Sequence, residues 1–219
     1  DYHHPDLGGA EGSTFPTTRV AFGSDFVGDS FNADPNDPGY DPVPRPDGDP
    51  DDCQGHGTHV AGIVGANGTV TGVAPEVTIG AYRVFGCAGS TTSEIMLQAM
   101  EQARVDNMDV VNMSIGAAFQ TWPQYPTAQA GDRLVEDGIV VVASGGNEGF
   151  YYTQAASAPS VGADIIAVAS FDNTRVTLPA LQVTAGETTL EVGYYASAGA
   201  PALTNAIDGF PLVVSDPLP

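Results

Sequence analysis

Short β-branched runs alternate with helix-like stretches along this chain, and that alternation narrows the possible folds more than any other feature. Strand-like segments fall at roughly 77–85, 109–115, 139–143 and 164–169. Between them, Thr91-Thr92-Ser93-Glu94 offers a capping box, and Ile95, Met96, Ala99, Met100 and Ala103 form a stripe of helical period. A further helix is predicted from Thr127 to Asp137, stopped by Gly138. Strands separated by helices of this length cannot form hairpins. They predict an α/β fold, a parallel doubly wound sheet with helices on both faces. In such a sheet, functional loops gather at the carboxyl ends of the strands.

Charge then limits the partners. Twenty-seven Asp and Glu stand against six Arg and no Lys, a formal net charge of −21. Such a surface disfavours nucleic acid and anionic membranes and favours solubility and calcium. No segment approaches the length of a membrane-spanning helix. Nine aspartates and six prolines crowd into residues 25–52. Phe22 to Asp52 is therefore expected as a surface insertion that builds no core. It reads as calcium-binding or simply solvated acidic loop, and its spacing matches no EF-hand. Asn67-Gly68-Thr69 is a surface-plausible glycosylation sequon, whereas Asn112-Met113-Ser114 is expected within a buried strand.

The chemistry concentrates in Gly55-His56-Gly57-Thr58-His59-Val60-Ala61-Gly62. A general base needs an imidazole that titrates near operating pH. Gly55 and Gly57 clear the space around His56, so a peptide backbone could approach it closely. The small, apolar residues that follow, through Ala66, suit a helix buried against a sheet, with His56 and His59 one turn apart. A zinc pair or two ordinary core histidines are the alternatives. A zincin, however, would carry Glu where Gly57 stands.

Two more segments follow in order. Asp109-Val110-Val111-Asn112-Met113 reads as an interior strand ending in Ser114-Ile115-Gly116. Val140-Val141-Val142-Ala143 reads as another, ending in Ser144-Gly145-Gly146-Asn147-Glu148-Gly149. Taken singly, each is an ordinary strand end with a glycine turn. Together, in this order, the three segments resemble the subtilisin-like serine proteases, the subtilases.

That resemblance covers residues 1–175 and implies peptide-bond hydrolysis through an acyl-enzyme. It makes His56 the general base and Asn147 the oxyanion-hole donor. Ser114 and Gly116, with Ser144 and Gly145, would hold the substrate strand. The family order is Asp, His, Ser. Asp1-Tyr2-His3-His4-Pro5-Asp6-Leu7-Gly8-Gly9 resembles the stretch that continues from the catalytic aspartate, so Asp1 and Asp6 are not expected to replace it. No Gly-Thr-Ser segment occurs up to Pro219. The resemblance thus implies a fragment, inactive alone and prone to aggregate, of a secreted endopeptidase acting on polypeptides as a monomer without a required cofactor. A non-catalytic peptide-binding or inhibitory module is the alternative. By resemblance to some secreted subtilases, Cys53 and Cys87 are expected to form a disulfide, with free thiols as the other outcome. Residues 176–219 carry β-like runs at Val176–Val183, Glu187–Tyr195 and Leu212–Val214. By position they resemble the start of an inserted protease-associated (PA) domain.

Overall fold

The computed structural model describes residues 1–116, 119–147, 156–170, 180–185 and 188–193. It divides into two units, Asp1–Ser170 and Phe171–Pro219. In the first, β1 (Val20–Asp25), α1 (His56–Gly65), β2 (Ile79–Arg83), α2 (Ser93–Val105) and β3 (Val110–Met113) follow one another. They are succeeded by α3 (Pro126–Glu136), β4 (Val140–Ser144) and β5 (Ile166–Val168). β1 and β2 pair in parallel, and β3, β4 and β5 form a second parallel sheet in that order. The fold is the parallel α/β arrangement that the alternation predicts. A short 3₁₀ turn at Pro5–Leu7 precedes β1.

Helix α2 carries the predicted stripe but starts one residue later than the Thr91–Glu94 capping box implies, so Glu94 does not stand at the third helical position. Thr92 is the N-cap, its hydroxyl accepting from the Ile95 N–H at 3.5 Å. Ile95, Met96, Ala99, Met100 and Ala103 are all buried. Ile95 and Ala99 pack with Val27, Phe31 and Val84. Met100 joins Met113, Leu134, Ile139, Val141, Ala143 and Ile165 in a second core. Helix α3 begins with Pro126, whose missing N–H costs nothing in the first turn. Past its end the chain turns through Gly138 at φ +93°.

Three further expectations need correction. Phe22 to Asp52 is not wholly a surface insertion: Phe22 to Asp25 lie in β1, and Val27 and Phe31 are fully buried. The buried Asp25 carboxylate makes this possible. It accepts from the Val27 and Gly28 N–H groups at 2.7 and 2.8 Å and pairs with Arg83 at 3.0 Å. The apolar helix α1 is not buried either, since Ile63 is 58% and Val64 38% exposed. Apolarity required a partner for this helix, and among the described residues only one face has one. Finally, Asn112 is exposed. Strand alternation sends Met113 inward and Asn112 to the opposite side.

The second unit contains an antiparallel pair, β6 (Ala180–Ala185) and β7 (Thr188–Gly193), with Ala185 opposite Thr188. These strands overlap the first two predicted β-like runs with shifted ends. Leu212–Val214 lies outside the described residues.

Candidate active site

His56 is the first residue of α1, and the turn delivering it is built by its neighbours. The N-cap, Gly55, sits at φ +95°, a left-handed conformation that favours glycine. Gly55 contributes no side-chain cap, so the first N–H groups of the helix need acceptors from elsewhere. Gln54 Oε1 accepts from the His56 N–H at 2.9 Å. Asp52 takes four more donors. Its Oδ1 accepts from the Gln54 and Gly55 N–H groups, both at 2.8 Å. Its Oδ2 accepts from the Thr58 N–H at 2.8 Å and from the Thr58 hydroxyl at 2.7 Å. Burial would raise the Asp52 carboxyl, but the bonds from Gly55, Thr58 and Gln54 outweigh it. They hold it well below the usual carboxylate range.

The next residue fastens this turn to the sheet. Cys53 is disulfide-bonded to Cys87, with Cα atoms 5.2 Å apart. Arg83, the last residue of β2, places Nη2 3.0 Å from Cys53 Sγ and pairs through Nη1 with Asp25 and with Asp29 at 2.8 Å. The histidine turn is thereby anchored beside the carboxyl end of β2.

The other candidate residues follow the carboxyl ends of β3 and β4. Ser114 and Gly116 leave β3, while Ser144 ends β4 and leads into Gly145. Ser144 Oγ donates to the Ile115 carbonyl at 3.2 Å, which brings the two segments together. Gly145 N–H donates to Val168 O at 2.7 Å, fixing this segment to β5. Asn147 is exposed, just past Gly146 at φ +94°. A Cβ on Gly116 would meet the Ser157 hydroxyl, so a larger residue there would have to turn that side chain aside. Ser157 is itself fully buried. His59 lines a different space, a groove of about 540 Å³ that it shares with His4, Ile63, Val70 and Val73 and that His56 does not line.

Reading the sequence for chemistry missed Asp52, Arg83 and Ser157. Asp52 carried a signal in principle, an acceptor side chain just ahead of a glycine-flanked helix start. Arg83 and Ser157 carried none, because their partners lie on other segments.

The subtilase family profile (peptidase S8) matches residues 1–206, so the chain belongs to the subtilase family. It is 42% identical over 150 residues to the minor extracellular protease Vpr of Bacillus subtilis, covering 68% of this chain and 16% of that protein. It is 36% identical over 164 residues to subtilisin DY of Bacillus licheniformis, covering 72% of this chain and 52% of that one. The chain thus spans about half or less of the length of these relatives. Among solved structures, it is similar to the nisin leader peptidase NisP of Lactococcus lactis at a TM-score of 0.41 and 29% identity, covering 49% of this chain and 38% of that one. Among the described residues, no helix is long and apolar enough to cross a membrane.

Proposed function

We propose that this chain is part of an extracellular serine endopeptidase that cleaves polypeptides through an acyl-enzyme. Carrying the proposal is the placement of His56 at an anchored helix start, with the Ser114–Gly116 and Ser144–Gly145 segments hydrogen-bonded at neighbouring strand ends. His56 takes the proton of a nucleophilic serine and returns it to the leaving amine. Asn147 donates to the oxyanion of the tetrahedral intermediate. In subtilisin, where this effect was measured, loss of such a donor costs on the order of 10²–10³ in turnover. Backbone groups of Ser114 and Gly116 take the substrate as an added strand, with Ser144 and Gly145 lining the same cleft. The chemistry requires no cofactor. On this reading the nucleophile and triad aspartate lie outside the 219 residues, which alone are inactive, and 176–219 begin a PA-like inserted module.

The test uses the protein purified from its source. Peptide mapping past both ends finds Asp-Thr-Gly upstream and Gly-Thr-Ser downstream. Casein hydrolysis is abolished by a serine-directed sulfonyl fluoride, and His56→Ala lowers kcat by about 10⁴–10⁶. Hydrolysis that survives His56→Ala would overturn the assignment. Peptide binding without hydrolysis would favour a non-catalytic module.

A further inference from the structure

We propose that Asp52 is the positioning residue for His56, its carboxylate clamping the turn on both sides of the imidazole-bearing residue. The inference rests on the reading of His56 as the general base. An ordinary capping side chain sits at the N-cap and satisfies one or two N–H groups of the first turn. Here the N-cap is Gly55, which has no side chain, and the capping carboxylate comes from three residues earlier. One oxygen of Asp52 holds the N–H groups of Gln54 and Gly55, before His56. The other holds the N–H and hydroxyl of Thr58, after it. His56 is therefore bracketed by a single anion. The left-handed turn at Gly55, intrinsically free to open, is closed by that bracket.

The clamp is grounded in the sheet. Cys53, adjacent to Asp52, is tied through Cys87 and the Arg83 guanidinium to the end of β2. Asp25 and Asp29 in turn fix Arg83. A shift of Asp52 would move the turn against this anchor, and with it the imidazole. Ionisation matters as much as shape. Four donors converge on the two oxygens, which only an acceptor-only carboxylate can satisfy. An asparagine would keep one oxygen and would present its NH₂ to the Thr58 N–H, donor against donor. The hydrogen bonds hold Asp52 below the usual carboxylate range. The clamp thus stays anionic across the region near pH 6.5 where imidazoles ordinarily titrate.

The experiment uses the whole protein as it occurs in its source, isotope-labelled, and reads the His56 Cε1–H resonance together with amide exchange at Gly55 and Thr58. In Asp52→Asn, with the disulfide and circular dichroism retained, both amides exchange roughly tenfold faster or more, as expected on losing a charge-assisted hydrogen bond. The His56 resonance moves, which simple loosening elsewhere in the fold would not cause. Asp52→Glu, keeping the charge, restores the resonance in part. Should Asp52→Asn fail to fold, Thr58→Val opens only the downstream side. It then speeds amide exchange at position 58 about two- to threefold, the loss of one weaker bond to the same oxygen, and displaces the same resonance. Unchanged His56 resonance and exchange rates in a folded variant would overturn the proposal. None of these readouts needs turnover, so failure of the clamp and failure of the protease reading are separately visible.

Discussion

The Cys53–Cys87 disulfide should be a major source of stability in the first unit, through the loop it closes. The two cysteines are 34 residues apart. In the chain-entropy treatment, closing a loop of that length removes enough denatured-state entropy to stabilise the native state by about 3–4 kcal/mol at 25 °C. For a domain of this size, roughly 2–4 °C of melting temperature accompanies each kcal/mol, so about 6–16 °C is at stake. The perturbation is the double variant Cys53→Ser, Cys87→Ser. The assay is urea unfolding of parent and variant followed by circular dichroism, with calorimetry for the melting temperature. A difference below about 1 kcal/mol would refute the entropic argument. Reactive thiols in the denatured, unreduced parent would remove its premise.

Arg83→Met should cost about 3–5 kcal/mol in urea unfolding, because it strands the Asp25 carboxylate, 1% exposed, without its cation; a loss under 1 kcal/mol would sink this account. Acid should weaken the fold through Asp52 and Asp6, whose carboxyls are both held below the ordinary range, Asp6 chiefly by the Val70 and Thr69 N–H groups. Their folded values lie below the unfolded ones, so their contribution is complete above about pH 5 and is lost as pH falls through the folded values. The urea midpoint is expected to drop steadily below about pH 4, less steeply in Asp52→Asn, and a flat profile would contradict the assignment. Val141→Ala, at a side chain 1% exposed in the core of β3 and β4, should cost about 2–3 kcal/mol by the same assay.

Much of the fold was legible because local pattern and tertiary role agree. The helical stripe from Ile95 to Ala103 is buried as its period requires, and Thr92 caps where its hydroxyl can reach. The β-branched runs became parallel strands with ends within a few residues of those expected. Phe22 to Asp52 misled because composition averages over residues. Asp25 can be buried only because Arg83, far along the chain, meets it, and no local window contains both. In the candidate site, His56 announced itself through its glycines. Asp52 stands just ahead of that glycine-flanked start, but which backbone N–H groups it holds is set by the left-handed turn at Gly55, which the sequence does not display. Asn112 was misjudged by reading its whole run as buried, where alternation across the strand should have separated it from Met113.

Helix α2 touches both cores from a single rigid rod. Ile95 and Ala99 belong to the cluster beside β2, and Met100 to the cluster beneath β3 and β4. Among the described residues the two sheets share no backbone ladder, so the helix is the member through which a disturbance in one core reaches the other. A change in the girth of α2 at Ala99 or Met100 is therefore felt on both sides at once.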